Sequence, residues 1–351
     1  MGLEQAGFKV LAQVEMDSDC AETLRARAAH RNINTIVLEN RIEDIDPLNL
    51  LKQLKLKAGE VDLLAGGPPC QPFTTTGLRQ GLNDRRASSA FPTYLDYVRA
   101  IRPRTIALEN VDGLLSVALK HRPLNERGKG HPPLSWEESK GSFLHWFLGQ
   151  LSEMGYSVSW GVLDAVGHGV AQHRQRAFLM GMLGDKPCFL PEETFGQNKH
   201  APWRTLRDAL AEVEDLGPIQ PLSERKSNIF KLIPPGGNWR DLPDNVQKET
   251  MGAAYYATGG KSGWWRRLSW DQPAPTVPGM PDHSSTALIH PDKVRCLSLN
   301  ECVAIQSFPK GTVFVGRPRS QYQQVGNAVP PLLGKAIAEH LWTLSTRLVS
   351  G

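Results

Sequence analysis

Short apolar runs alternate with longer, partly polar stretches over about the first 180 residues of the chain. The clearest runs cover residues 10–15, 61–65, 105–108, 156–163 and 177–182. Runs of this length, separated by segments long enough for a helix, are typical of strands in a largely parallel sheet with covering helices. The pattern therefore predicts an α/β fold for this part of the chain.

Three residues with useful chemistry follow the predicted strands. Glu15, Cys70 and Glu109 stand at or just after the carboxyl ends of the apolar runs. Ligands of open α/β sheets bind outside the carboxyl ends of the strands, so we expect these three side chains to border one site.

The rest of the chain is less regular. Residues 112–142 are rich in Arg, Lys, Gly and Pro, which favours a solvated surface loop over a DNA-contacting one. Residues 185–265 are broken by Pro and Gly, carry several aromatic side chains and show no periodicity. A helix is predicted over about residues 331–348, returning to the first part of the chain.

Composition narrows the class of protein. The 351 residues are 40% hydrophobic and 22% charged, which suits a soluble globular chain with one sizeable core and a smaller domain. No stretch reaches the roughly 18 continuous apolar residues of a membrane span, and no signal-peptide pattern opens the sequence, so a cytoplasmic, nucleoid-associated location is expected. A net charge of +4 and a pI of about 8.8 allow a basic cleft but do not by themselves indicate nucleic acid.

The five cysteines form neither a CxxC pair nor a regular framework, which argues against structural zinc and a disulfide scaffold, so no metal is expected. Cys70 differs from the others because it lies in the turn Gly66-Gly67-Pro68-Pro69-Cys70-Gln71-Pro72-Phe73. Glycines permit a sharp turn and close approach of a ligand, and prolines fix φ, so this turn suits an exposed, nucleophilic thiol. Taken alone, the turn leaves open that Cys70 is a small apolar residue at a strand end, because most free cysteines are buried and inert.

Three further segments complete an ordered set with the Cys70 turn: Glu109-Asn110-Val111, Gln172-His173-Arg174-Gln175-Arg176 and Gln324-Val325-Gly326-Asn327-Ala328-Val329-Pro330-Pro331. In this order they closely resemble the DNA (cytosine-5)-methyltransferase family of the bacterial and phage type, and weaker similar segments extend the resemblance over nearly the whole chain. The resemblance implies an S-adenosylmethionine-dependent methyltransferase fold, Rossmann-like with a mostly parallel sheet, and a second, smaller target-recognition domain.

The resemblance also implies a covalent mechanism on cytosine. The thiolate of Cys70 would add to carbon 6 of the ring, and carbon 5 would then take the methyl group. Glu109 would hydrogen-bond or protonate the N3 and N4 edge, a role for a carboxyl group with a raised pKa. Arg174 and Arg176 would face the cytosine O2 and a nearby phosphate, because alternate residues of a strand point to the same side.

Five residues match the family's wall for S-adenosylmethionine and its product S-adenosylhomocysteine. By resemblance, Glu15 would bind the ribose hydroxyls and Met16 would lie against the adenine. The remaining cofactor residues would be Ile42, Pro69 and Asn327.

The sequence departs from the family pattern on the cofactor side. The family has an apolar strand and a glycine-rich turn, Phe-x-Gly-x-Gly-Gly, just before the segment matched here by residues 2–8, and this sequence begins after it. Arg41 stands where an aspartate is usual, and Ala90 where a leucine is usual. We therefore expect the fold to be kept while cofactor affinity is reduced or lost in this chain. Three explanations stay open for the first strand: the start of the gene was assigned too late, the strand comes from a complementing N-terminal chain, or it has been lost.

The resemblance divides the chain into a catalytic and cofactor domain (1–184), a target-recognition domain (185–265), and a hinge and C-terminal segment returning to the first domain (266–351). The partner would be double-stranded DNA with one cytosine flipped out of the stack. A cognate restriction endonuclease or a complementing N-terminal chain is the further partner that the resemblance leaves open. The predicted DNA contacts are Gln71, Thr74, Arg240, Gly259, Gly260 and Arg266.

Two other functions stay open on the sequence. A DNA-binding relic or subunit with lost or reduced cofactor binding is favoured by the departures on the cofactor side. An RNA cytosine methyltransferase is the third choice, although Gln71 and the sizeable variable region favour DNA.

Overall fold

The structure, a computed structural model, describes residues 1–69, 87–258 and 263–346. The strands are β1 (Ala12–Glu15), β2 (Ile36–Glu39), β3 (Leu63–Gly66), β4 (Thr105–Asn110), β5 (Tyr156–Asp164) and β6 (Gln175–Leu183). The helices are α1 (Gly2–Gln5), α2 (Ser18–His30), α3 (Pro47–Leu54), α4 (Ala87–Ile101), α5 (Ser142–Glu153), α6 (Leu206–Leu210), α7 (Glu224–Lys231), α8 (Asp244–Met251), α9 (Ala253–Tyr256), α10 (Leu299–Ile305), α11 (Pro318–Asn327) and α12 (Pro331–Thr346). Each predicted apolar run overlaps a strand, β2 is an additional strand, and the predicted C-terminal helix is confirmed as α12.

The strands form two hydrogen-bonded groups. β1 pairs in parallel with β2, from Ala12 opposite Ile36 to Glu15 opposite Glu39. The second group has the order β3-β4-β6-β5, in which β3 is parallel to β4 while β6 is antiparallel to both β4 and β5. The predicted α/β class is confirmed, and the β5–β6 hairpin adds the antiparallel edge that many such sheets carry.

Helices cover both faces of β4, which is the reason that its residues form a continuous apolar run. Leu108 belongs to a buried cluster with Phe91 of α4 and Phe143 of α5. Ala107, which points to the opposite face, belongs to a second cluster with Leu333 of α12. The site at the end of β4 is therefore built on the most firmly packed strand of the sheet.

The sides on which the connecting helices lie determine the strand order. α2 lies on the α12 side, because its Arg27 pairs with Glu4 of α1, and α1 packs on α12. α3 lies on the opposite side, against α4. Parallel crossovers are right-handed, so helices on opposite faces reverse the direction in which strands are added. β3 therefore lies beyond β1, and the free edges of β1 and β3 face each other.

No ladder hydrogen bond joins β1 to β3 in the ranges that the structure describes. Both strands nevertheless rest on one apolar cluster, since Ala12 of β1 and Leu64 of β3 pack against buried residues of α3 and α4 that include Leu50 and Tyr97. β3 is apolar but only partly buried along its length. We call this open position in the sheet the β1–β3 gap.

The part of the chain after β6 has helices and two apolar clusters, and no strand among the residues described. One cluster joins Leu206 of α6 with Val277 and Tyr322. The other gathers Phe230 and Trp265 with residues as far along the chain as 296. The domain boundaries at 185 and 265 stay predictions.

Residues 112–141 contain 3₁₀ turns but no α-helix or strand, as the composition of this segment predicts. Arg122 is anchored there by Glu138 and by the carbonyl of Pro132. Across all the described ranges, none of the helices has both the length and the apolar character needed to cross a membrane.

Two helix glycines form a matched pair for testing a close backbone contact. A Cβ on Gly326 in α11 would lie 2.5 Å from the Gly279 nitrogen and from the Pro278 carbonyl carbon, whereas the nearest atom to one on Gly334 in α12 would be 3.7 Å away. We expect Gly326→Ala to lower the free energy of unfolding by about 1–3 kcal/mol. Gly334→Ala should raise it by about 0.5–1 kcal/mol. Urea denaturation measures both changes, and equal stability of the two variants would contradict the close contact.

Candidate functional site

Glu109 and Arg176 form an ion pair where β4 and β6 run side by side. Glu109 lies opposite Phe178 in the antiparallel register, so Arg176, two residues before Phe178, projects from the same face as its diagonal neighbour. The Arg176 Nε lies 3.1 Å from Glu109 Oε1, and the two side chains are 16% and 20% exposed. The pair therefore borders solvent at the carboxyl end of β4, where a ligand can reach it.

Burial controls the acidity of Glu109. Removal from water raises the pKa of this carboxyl, while the positive charges of Arg176 and Arg174 oppose the increase. A carboxyl group with a raised pKa keeps its proton closer to neutral pH and can donate it. The site thus combines an acid with a fixed positive charge, which suits a ring that accumulates negative charge.

The turn that leads to Cys70 is tied to the end of β4. Asn110 is buried, its Nδ2 donates to the Pro68 carbonyl at 2.9 Å, and its Oδ1 accepts from the Val111 amide at 3.0 Å. A Cβ on Gly67 would lie 3.4 Å from Glu109 Oε2, so the turn passes directly beside the carboxyl group. Its place next to Glu109 was the only sequence signal for this role of Asn110.

Arg174 lies in the interior rather than beside Arg176 at the surface. Its side chain is 1% exposed, and its guanidinium donates to the carbonyls of Val277 at 3.3 Å and Gly326 at 2.7 Å. Burial, together with the charge of Arg176, lowers the pKa of Arg174 to about 9, so the group stays protonated at neutral pH. The structure therefore gives the two arginines of this motif different surroundings.

The predicted cofactor residues lie at the ends of their elements. Glu15 is the last residue of β1, and its Oε1 accepts from the Asp17 amide at 2.9 Å. Met16 is 65% exposed, and Asn327 ends α11 with its side chain in solvent. Ile42 begins the 3₁₀ turn after β2, and Pro69 is the last residue described before Cys70.

The elements that carry Glu15 and Asn327 touch each other. Thr23 of α2, the helix that follows Glu15, donates a hydrogen bond to Gln324 of α11 at 2.7 Å. A carboxylate for ribose hydroxyls, an exposed apolar side chain for adenine and an amide fit the adenosine part of S-adenosylmethionine. Arg41 pairs with Glu43 at 3.1 Å, so a cation stands at the position where the resemblance predicts an acid.

Two of the predicted DNA contacts are described by the structure. Arg240 is exposed, with its guanidinium carbon 4.9 Å from the centroid of the Trp239 ring. Arg266 is half-buried, its Nε has no partner among the described residues, and burial lowers its pKa. Arg240 is therefore open to an anionic partner, whereas the Nε of Arg266 is enclosed by the protein.

Several predicted site residues fall outside the described residues: Cys70, Gln71, Thr74, Gly259 and Gly260. Their assignments stay predictions. Within the described ranges, no three His, Cys, Asp or Glu side chains come together in a way that could hold a metal ion.

Comparison with known proteins identifies the family. A family profile described as C-5 cytosine-specific DNA methylase matches residues 1–343. The Type II methyltransferase M.Sau96I of Staphylococcus aureus is 34% identical over 345 residues, which cover 97% of this chain and 72% of that protein. The Type II methyltransferase M.PspPI of Psychrobacter sp. is 35% identical over 351 residues, which cover 97% of this chain and 75% of that protein.

Solved structures share the fold at lower identity. A putative DNA modification methyltransferase encoded within an Escherichia coli prophage superposes with a TM-score of 0.64 at 19% identity, covering 98% of this chain and 95% of that one. A mutant of Spodoptera frugiperda DNMT2 superposes with a TM-score of 0.59 at 14% identity, covering 97% and 95%. Since the profile matches nearly the full length, the chain belongs to the C-5 cytosine-specific DNA methylase family and is an enzyme of the DNA (cytosine-5)-methyltransferase class.

Proposed function

We propose that this protein transfers a methyl group from S-adenosylmethionine to carbon 5 of a flipped-out cytosine in a specific duplex DNA site, through a covalent adduct with Cys70. The observation that carries the proposal is the Glu109–Arg176 pair, beside the turn that Asn110 anchors two residues before Cys70. An acid, a fixed cation and a nearby thiol are the groups that sulfur addition to a pyrimidine requires.

Each side chain has its own task on the ring. Cys70 Sγ forms a bond to carbon 6, and Glu109 donates a proton or a hydrogen bond at N3, which places the electron pair at carbon 5. Arg176 holds Glu109 in place and contacts the ring O2. Glu15 and Asn327 would hold S-adenosylmethionine, which would supply the methyl group to carbon 5 as an electrophile and leave as S-adenosylhomocysteine. Loss of the proton from carbon 5 then allows the sulfur to leave carbon 6.

The substrate base must leave the DNA helix, because carbon 6 of a stacked cytosine is hidden from a thiol. Residues 185–265 and the start of the following segment supply the contacts that offset the cost of unstacking. Arg240 and Arg266 are suited to phosphates and guanine edges. Arg240 also presents a rigid surface, since it lies over the Trp239 ring.

The names of the relatives suggest the biological setting. M.Sau96I and M.PspPI are Type II methyltransferases. By analogy, this enzyme would protect a DNA site in the cytoplasm against a cognate restriction endonuclease.

The β1–β3 gap favours a second candidate, a subunit with weak cofactor binding on its own. Glu15 ends the strand that borders the gap, so the proposed cofactor wall is next to two strand edges that have no partner in the described part of the chain. A parallel strand from a complementing N-terminal chain would pair with both edges. In this form of the proposal the described chain contributes the base-binding half, and the added strand completes the cofactor-binding half.

Methylation in cells tests the proposed activity. We expect plasmid DNA from a host without cytosine methylation to acquire 5-methylcytosine at one recurring sequence when this chain is expressed, and to remain unmodified with Cys70→Ala. Cys20→Ala is the matched control, since burial and the neighbouring Glu15 raise the pKa of the Cys20 thiol to about 12 and leave it a poor nucleophile. Bisulfite sequencing gives the result, and modification by Cys70→Ala would refute the nucleophile.

The pH dependence tests Glu109 without requiring the cofactor. Addition of Cys70 makes carbon 5 exchange its hydrogen with water, so tritium release from [5-³H]cytosine DNA reports the addition step. The acid form of Glu109 acts, and its pKa is raised, so release should fall as the pH rises through that pKa. Glu109→Gln should slow release by about 10²–10⁴-fold. It should also remove the descending limb of the pH profile, which is the fall in release rate as the pH rises.

Arg176→Lys is the comparison for this test, because it changes the partner of Glu109 but keeps the carboxyl group and a positive charge. We expect slower release with the descending limb still present. A limb that persists unchanged in Glu109→Gln would mean that another group titrates.

Calorimetry tests the subunit candidate. On the subunit candidate, the chain alone should bind S-adenosylhomocysteine weakly, with a Kd well above micromolar, because the β1–β3 gap leaves the cofactor wall next to strand edges that are unpaired among the described residues. Addition in trans of a peptide with an apolar strand followed by Phe-x-Gly-x-Gly-Gly should tighten binding. Micromolar affinity of the chain alone would contradict this candidate while leaving the methyl transfer proposal intact.

A further inference from the structure

Three polar side chains are fully buried between β6, α10 and α11. Gln172 and Gln306 are 0% exposed, and Arg174 is 1% exposed. Burying such groups is costly unless they are hydrogen-bonded. Their partners form one connected network, which we call the buried latch.

Gln172 and Gln306 hydrogen-bond to each other and to the backbone of two other segments, at Val277 and Val325. Gln172 Oε1 accepts from the Val277 amide at 2.8 Å, and Gln172 Nε2 donates to Gln306 Oε1 at 3.0 Å. Gln306 Nε2 in turn donates to the Val325 carbonyl at 2.6 Å. The loop before β6 is thereby joined to the end of α10 and to the last turn of α11.

Arg174 closes the network. Its guanidinium bridges the carbonyls of Val277 and Gly326. The last carbonyls of a helix lack partners within the helix and carry partial negative charge, so a buried cation there both satisfies and stabilises the end of α11. The planar fork of arginine presents two nitrogens in a fixed geometry to two separate carbonyls, whereas the ammonium of lysine is a single point charge on a flexible stem.

The latch lies between the two halves of the site. Arg176, the partner of Glu109, stands two residues after Arg174. Asn327, in the cofactor wall, follows Gly326 directly. One side chain therefore connects the strand that carries the base-side cation with the helix end that carries a cofactor-side amide.

We propose that Arg174 is a positioning residue rather than a contact of the cytosine, and that the buried latch fixes Arg176 and Asn327 relative to each other. This inference rests on the proposed function. It revises the role that strand alternation predicts for Arg174, because a guanidinium committed to two interior carbonyls is not presented to a base.

Arg174→Lys tests the latch, with Arg267→Lys as a matched control. Arg267 is 7% exposed, donates to the carbonyls of Ile233 and Pro291, and has an unpartnered Nε among the described residues, as Arg174 has. Three quantities are measured: hydrogen exchange by mass spectrometry, the Kd for duplex DNA, and tritium release from [5-³H]cytosine DNA at saturating duplex.

In Arg174→Lys we expect faster hydrogen exchange around residue 277 and at the end of α11, and tritium release slowed by about 10–100-fold. The duplex Kd should stay within about twofold, since no contact with DNA is lost. In Arg267→Lys, hydrogen exchange should increase around residues 233 and 291 only, with tritium release within about twofold of the unmodified chain.

Two results would overturn the proposal. Unchanged hydrogen exchange at the end of α11 would show that Arg174 does not hold it, and a weaker duplex Kd with an unchanged saturated rate would show that Arg174 contacts DNA. If Arg174→Lys does not fold, Gln306→Leu, which removes two hydrogen bonds of the latch, is judged by the same criteria. Absence of tritium release from the unmodified chain would refute the proposed function, while hydrogen exchange would still decide the latch.

Discussion

The antiparallel register of β4 against β6 brings together the acid and the cation of the candidate site. Glu109 meets Arg176 because Glu109 lies opposite Phe178, and a slip of one residue would turn Arg176 to the other face of the sheet. The register is strongly specified, since β4 is packed by α4 and α5 on one face and by α12 on the other. Acid and cation are thus held by the core itself rather than by a loop.

Most strands of the sheet were predicted from the sequence, because a buried strand consists of a short run of apolar residues that is visible in the local sequence. Glu109 and Glu15 lie at strand ends, as predicted. β2 was not singled out, although Ile36–Glu39 is a short apolar run of the same kind. The irregular segment 112–141 was recognised from its composition alone.

Contacts between distant segments were beyond the sequence pattern. Arg174 and Arg176 are two residues apart, so the alternation of side chains along a strand predicted that both project from the same face. In the structure β6 begins at Gln175, and Arg174 lies before the strand. Its partners, Val277 and Gly326, are 103 and 152 residues away. Gln306 likewise has no local signal that would distinguish a buried hydrogen-bonding role from an exposed helix end.

The two halves of the site differ in how they are supported. Glu109 and Arg176 rest on a four-stranded sheet buried by helices, whereas Glu15, a predicted cofactor residue, rests on the β1–β2 pair, which has no sheet partner among the described residues. Two strands alone are marginally stable, so this pair depends on its packing against the neighbouring helices. Whatever orders β1 also orders Glu15 at its end. On the proposed function, a strand paired at the β1–β3 gap and a cofactor bound beside Glu15 would stabilise each other to the same extent, because a coupling free energy between two sites acts equally in both directions.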